Sequence, residues 1–194
     1  PEMAGRKAQA IIRNLQSGFD GAFLDILAPG FFNQGDCLGQ VVQPWNLAAG
    51  RAYTAFDWGS AQEKKIAALQ KLAKEATGRK PFLVGNNMNG KYFDATGGAR
   101  RFLVPTAAKP TPVDGMMSES PFSSPGTKAP FRSEDRWRMA VQELIDAAQN
   151  KLAALAYSKT AGESDTAQAG AQTDRFALFD YCSLLLAYEP DSPL

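Results

Sequence analysis

The chain has 194 residues, with 21 Lys and Arg against 20 Asp and Glu, a net charge of +1, no histidine and two cysteines. That length suits one domain with a sizeable core, and the even charge balance leaves no electrostatic footprint for nucleic acid. Without histidine, Ser-His-Asp and Cys-His catalysis, the usual zinc-protease motifs and an imidazole pH switch are excluded, so chemistry must come from carboxylates, amides, hydroxyls or lysines.

Cys37 and Cys182 stand far apart in unlike surroundings. They make neither a disulfide framework nor a thiolate metal cage, and they leave the compartment open, secretion or a cell-surface location included. No apolar run approaches the roughly 18 residues of a bilayer span, and the N-terminal PEMAGRKAQAIIRNL is amphipathic rather than signal-like, so no membrane partner is expected. The acids are not clustered as a calcium or magnesium loop would cluster them, and neither a metal nor an organic cofactor is expected.

In chain order, Ala8, Ile11, Ile12 and Leu15 share one face of a helix over 3–16, and Gly18 follows as its stop. Ala22 to Ile26 reads as a short apolar strand opened by Asp20-Gly21. Residues 27–59 turn to Gly, Pro, Asn, Gln and aromatics, a long loop of the kind that serves a site. Ser60 with Glu63 predicts a capping box for a helix striped by Ile66, Leu69, Leu72, Ala73 and Ala76 and ended by Gly78. Pro81 to Asn86 is the next strand. A short helical turn and an extended piece at Arg101–Val104 are read into 91–111.

Val113 to Glu119 reads as a third strand leaving into SPFSSPGTKAPF. Ser133 caps a helix carrying Trp137, Val141, Leu144, Ile145 and Ala148, and Leu152 to Tyr157 is a fourth strand. After a polar, mobile-looking stretch at 160–172, Asp174 opens a last helix with Phe176, Phe179, Cys182 and Leu186 on its buried face. Alternation of strand and helix means a parallel sheet with right-handed crossovers, as a (β/α)8 barrel or an open doubly wound sheet. The long loops follow the strands, which marks the strand exits as the active face.

A repeat carries the chemistry: Asp20-Gly21-Ala-Phe-Leu-Asp25 and Asp114-Gly115-Met-Met-Ser-Glu119 each place a carboxylate four residues after a glycine. On a strand an even spacing keeps glycine and acid on one face, so Asp25 and Glu119 converge at the carboxyl ends of strands two apart. The strand between them ends in Asn86 and Asn87. Two such acids are what glycosidic cleavage needs, one to protonate the leaving oxygen and one to attack the sugar or activate water. Asn86, Asn87 and Asn89 suit a hydroxyl-rich ligand, and among the aromatics Phe31, Phe32, Trp45, Tyr53, Phe56 and Trp58 are faces on which sugars stack. Tyr157 and Lys159, at the end of the fourth strand, line the same pocket, and Lys91 and Arg100-Arg101 are candidates for an anionic sugar.

The same residues have plainer uses. Strand-end acids cap helices or accept loop N–H groups, asparagines serve positive-φ turns, aromatics pack loops and most charges are simply solvated. Cys37 and Cys182 are then free thiols.

GFDGAFLD, PFLVGNNMNG and VDGMMSESPF resemble strands four, five and six of a bacterial group of (β/α)8 glycoside hydrolases, the hypothetical glycosyl hydrolase-like family 15, and more distantly the polygalactosaminidase-type barrels. The resemblance runs from the helix before strand four to the helix after strand seven. It implies a single catalytic-type domain over 1–194, incomplete at both ends, with Asp25 as nucleophile and Glu119 as proton donor. A complete barrel takes about 200 residues at minimum and eight strands, so pairing with a missing half-barrel or self-association is expected. A non-catalytic carbohydrate-binding module and an assembly domain working through open sheet edges are the alternatives.

Overall fold

The computed structural model describes residues 2–25, 34–35, 41–42, 45–86, 100–107, 109–123, 131–158 and 169–187. In chain order the elements are α1 (Glu2–Gln16), β1 (Gly21–Leu24), the short strands β2 (Gln34–Gly35), β3 (Val41–Val42), β4 (Trp45–Asn46) and β5 (Arg51–Ala52), α2 (Ala55–Thr77), β6 (Phe82–Asn86), α3 (Arg100–Leu103), β7 (Gly115–Glu119), α4 (Glu134–Gln149), β8 (Ala153–Tyr157) and α5 (Ala169–Leu185). Strands β1, β6, β7 and β8 form one parallel sheet in that spatial order. The expected α/β class with a parallel sheet is what the chain forms.

Side-chain alternation divides the sheet into two unlike faces. Leu83 and Met116 are fully buried, and with Ala22, Leu24 and Ala154 they join one core with Ile11 and Leu15 of α1, Ile66 and Leu69 of α2, Phe102 of α3 and Leu144 of α4. The opposite face carries Phe23, Phe82, Leu155 and Tyr157, which keep 49%, 45%, 47% and 51% of their surface exposed. Among the described residues the helical layer therefore covers one side of the sheet only.

The glycines of the repeat hold the register. A Cβ at Gly21 would lie 1.7 Å from the Phe82 carbonyl oxygen, and one at Gly115 would lie 2.8 Å from that of Ala153. Only glycine lets the neighbouring strand come that close. The aspartates before them act as ties. Asp114 takes the Leu83 N–H at 3.0 Å and the Lys80 ammonium at 2.7 Å, while Asp20 pairs with Arg79 at 2.9 Å.

Several boundaries differ from the sequence reading. Helix α2 starts a turn and a half earlier than Ser60, because Thr54 and Asp57 make the capping box: the Asp57 N–H donates to Thr54 Oγ1 at 3.1 Å and the Thr54 N–H to Asp57 Oδ2 at 3.0 Å. Ser60 and Glu63 sit inside the helix and both bind Arg101 instead. The extended piece expected at Arg101–Val104 is helical as α3, since Phe102 and Leu103 both bury into the core and consecutive residues of a strand point to opposite faces. Ser133 occupies the N-cap of α4 without a side-chain hydrogen bond. The expected 27–59 loop holds two small antiparallel ladders, β2–β3 and β4–β5, as well as the first residues of α2.

Helix α5 begins before Asp174 and turns a different face inward; of the polar stretch that precedes it, residues 160–168 lie outside the described ones. Its buried line is Phe176, Asp180 and Ser183, continued by Ala187 just past its end, whereas Cys182 and, beyond the helix, Leu186 are exposed. Both polar residues have a partner there: Ser123 donates to Asp180 Oδ2 at 2.7 Å, and Trp137 Nε1 donates to Ser183 Oγ at 2.9 Å, while Asp180 Oδ1 is buried without a hydrogen-bond partner among the described residues. A reading by hydrophobicity passes over such positions. Among the described residues no helix is long and apolar enough to cross a membrane.

Candidate functional site

Asp25 follows the last residue of β1, Asn86 ends β6 and Glu119 ends β7. The register places Asn86 beside Met117, two residues before Glu119, and pairs Glu119 with Tyr157. All four therefore share the open face at the carboxyl end of the sheet, where β/α proteins place their ligands. Asn86 Nδ2 donates to Asp25 Oδ1 at 2.8 Å, which orients one acid from the neighbouring strand. Asn86 is buried and Asp25 exposed, so the contact joins a fixed amide to a carboxylate that solvent and ligand can reach. The strand backbones bearing the two acids are two spacings apart, roughly 10 Å, enough for a sugar or a water between their side chains.

Immediately after Glu119 the chain turns through Ser120, which takes a left-handed φ of 48° although it is not glycine. That conformation costs about 1–3 kcal/mol and persists only where its surroundings impose it. Three bonds do so. The Ser120 N–H donates to the Tyr157 carbonyl at 2.6 Å, and the Arg132 guanidinium donates through Nε and Nη2 to the Ser120 carbonyl at 3.2 and 3.0 Å. The hydroxyls of Ser118 and Ser120, on either side of Glu119, are buried without a hydrogen-bond partner among the described residues. Neither Ser120 nor Arg132 is marked by sequence pattern, since a strained turn in serine leaves no signature.

The other predicted residues are dispersed. Trp45 starts β4 on its own small ladder with an exposed ring, and Trp58 lies in the first turns of α2, edge-on to Tyr53 at 6.2 Å between ring centroids. Trp58 thus does the loop-packing work that is the plainer use of such a ring. Asn87 and Asn89 lie outside the described residues, as do Phe31, Phe32, Cys37, Lys91 and Lys159. The two arginines considered for an anionic sugar are engaged in the fold. Arg100 pairs with Asp146 at 2.9 Å. Arg101 forks onto Glu63 at 2.7 and 2.9 Å and lies over the Phe56 ring at 5.0 Å, while Lys109 also meets Glu63.

A cavity of about 320 Å3 lies beside β1, between α1 and α2, and reaches Asp25. Two lysines the sequence reading passed over, Lys7 and Lys65, are in its wall. Burial, and secondarily the charge of Lys7, push the Lys65 ammonium below its ordinary pKa. The spacing of Lys7, Ala10, Ile11 and Asn14 on α1 is a helical stripe that could have pointed to it. Among the described residues no group of three or more Asp, Glu or Cys side chains is placed to hold a metal ion.

Comparison with protein-family models, with curated proteins and with solved structures gives no match. What speaks to function is the site itself.

Proposed function

We propose that the chain is part of a (β/α)8-type glycoside hydrolase in which Asp25 and Glu119 are the catalytic carboxylates. The observation that carries this reading is the placing of Asp25, Asn86 and Glu119 at the same end and on the same face of three adjacent parallel strands, with Asn86 bonded to Asp25. Glycosidic cleavage requires a carboxylate beside the anomeric carbon and a carboxylic acid at the leaving oxygen. Asp25, oriented by a donor, is suited to the first role as nucleophile or as base for a water. Glu119, anchored beside the constrained turn at Ser120, is suited to the second. Tyr157, paired with Glu119 and half exposed, offers a ring face on which a sugar can stack.

The barrel belongs to the same proposal. One-sided helices and an open apolar face are the arrangement of a barrel wall seen from inside, where further strands would cover Phe23, Phe82, Leu155 and Tyr157. The test is hydrolysis of a panel of oligosaccharides by the native chain and by Asp25→Asn and Glu119→Gln. Loss of turnover in both variants, with circular dichroism and sugar binding unchanged, is the expected result. Turnover at native rates in either variant would remove that residue from the chemistry.

A second reading rests on the same exposed face. Four large apolar side chains on one sheet surface are also what an assembly domain presents to another chain. Sugar binding in the absence of any turnover would favour a third outcome, the non-catalytic binding module.

A further inference from the structure

Arg132 spends its guanidinium on one backbone oxygen. Arg51, Arg79, Arg100 and Arg101 each meet a carboxylate, whereas Arg132 makes no ion pair among the described residues. Its Nε and Nη2 both donate to the Ser120 carbonyl, at 3.2 and 3.0 Å, and Ser120 directly follows Glu119. Two donors of a rigid fork on one acceptor hold that carbonyl in direction as well as in distance.

The arm that carries Arg132 is itself fixed. The Arg132 N–H donates to the Phe122 carbonyl at 3.1 Å, and Ser123 and Phe131 form an antiparallel bridge, so the chain that leaves β7 is clasped to the chain that enters α4. Both sides of the clasp are seated on the fold. Phe122 is fully buried, Ser123 Oγ donates to Asp180 of α5 at 2.7 Å, and the Phe131 ring stands 5.0 Å from those of Phe176 and Phe179 on the same helix.

The turn needs holding. The Ser120 N–H extends the β7–β8 ladder onto the Tyr157 carbonyl at 2.6 Å, and the chain then leaves the sheet through a left-handed φ of 48° that serine does not favour. Released from Arg132, Ser120 relaxes towards an ordinary φ, and the change in direction reaches Glu119 through the peptide bond the two share. A proton donor must stand within hydrogen-bond reach of the leaving oxygen, so a displacement of about 1 Å is enough to slow the reaction.

We propose that Arg132 is a positioning residue for Glu119, holding the Ser120 turn and through it the direction of the Glu119 carboxyl. The inference rests on the hydrolase reading, to which it adds the residue that aims the proton donor.

The test is a double-mutant cycle on hydrolysis, joined to amide exchange at Ser120. Arg132→Met, which keeps an unbranched stem and removes the donors, is compared with Glu119→Gln and with both changes together, on substrates with poor and with good leaving groups. Arg132→Met is expected to lower kcat on poor leaving groups about 10- to 100-fold with KM little changed, and to leave good leaving groups nearly untouched. Added to Glu119→Gln it should cost less than about threefold more, since the donor it positions is gone. Amide exchange read by NMR needs no turnover: protection of the Ser120 N–H should fall about tenfold or more in Arg132→Met while the amides of β7 and α4 keep theirs, which also shows that the variant is folded. Arg132→Lys keeps the charge without the fork and should recover part of each loss; it carries the same comparisons if the methionine variant does not fold. Losses that multiply in the double variant overturn the positioning role, as do a loss equal across the leaving groups and unchanged protection at Ser120. The two proposals fail separately. A native chain without turnover removes the hydrolase and the positioning role with it, whereas native turnover with kcat unchanged in Arg132→Met removes the positioning role alone.

Discussion

Asn86 Nδ2 lies 2.8 Å from Asp25 Oδ1, a bond between adjacent parallel strands that joins a buried amide to an exposed acid. A hydrogen bond to a charged group is worth about 1.5–3 kcal/mol, and here it also sets the direction in which the carboxylate points. Asn86→Ala should therefore lower kcat about 10- to 100-fold with a smaller change in KM, because the loss bears on the reacting geometry. Steady-state kinetics on any oligosaccharide the chain cleaves makes the measurement. An unchanged kcat would show that Asp25 needs no help from β6.

Glu119 as proton donor makes a separate prediction about leaving groups. Glu119→Gln should depress hydrolysis of sugars with alkyl or sugar leaving groups by several powers of ten. Aryl glycosides with good leaving groups, which need little protonation, should be far less affected. A uniform loss across the series would assign Glu119 to binding instead.

Glu143 is 1% exposed on α4, its Oε1 has no hydrogen-bond partner among the described residues, and burial raises its carboxyl to about pKa 8. The folded protein thus keeps this proton up to about pH 8, while the unfolded chain releases it near the ordinary value of 4.5. Between those values folding carries an extra proton, so stability falls as pH rises, by up to about 1.4 kcal/mol per unit, and levels off above pH 8. Glu143→Gln removes this slope. It should match the native chain at about pH 4 and exceed it by a few kcal/mol, about 3 at most, near pH 7. Urea midpoints across that range decide it, and parallel curves would place the titration elsewhere.

The two glycines of the repeat should differ in their tolerance of alanine. A Cβ at Gly21 meets the Phe82 carbonyl at 1.7 Å, against 2.8 Å to the Ala153 carbonyl for Gly115. Backbone cannot move aside as a side-chain tip can. Gly115→Ala should cost about 1–3 kcal/mol and Gly21→Ala at least as much, read from chemical denaturation. Equal and negligible costs would mean that the register is not held by these contacts.

If the open sheet face seeks another chain, Phe23→Lys with Leu155→Lys should abolish concentration-dependent association in sedimentation experiments. Each side chain is about half exposed, so neither lysine need be buried in the isolated chain. Association that survives both changes would move the contact off this face.

Local chemistry alone determined much of this protein. The apolar stripe of Ala8, Ile11, Ile12 and Leu15 marked α1, and the even spacing of Gly21 to Asp25 and Gly115 to Glu119 put both acids on one face, because strand alternation has a period of two whatever surrounds it. The absence of histidine narrowed the chemistry to carboxylates, amides, hydroxyls and lysines, whatever the fold. What the tertiary structure decided depends on partners distant in the chain. Ser60 and Glu63 had the spacing of a helix cap, yet Arg101 claimed both from far along the sequence, while Thr54 and Asp57 took the cap. Asp180 and Ser183 turn inward where Ser123 and Trp137 meet them. The cavity at Lys7 and Lys65 exists because α1 and α2 pack side by side beneath β1. Helix and strand periods are properties of neighbouring residues, whereas the pairing of buried polar groups and the gathering of like charges are properties of packing, which pattern along the chain does not encode.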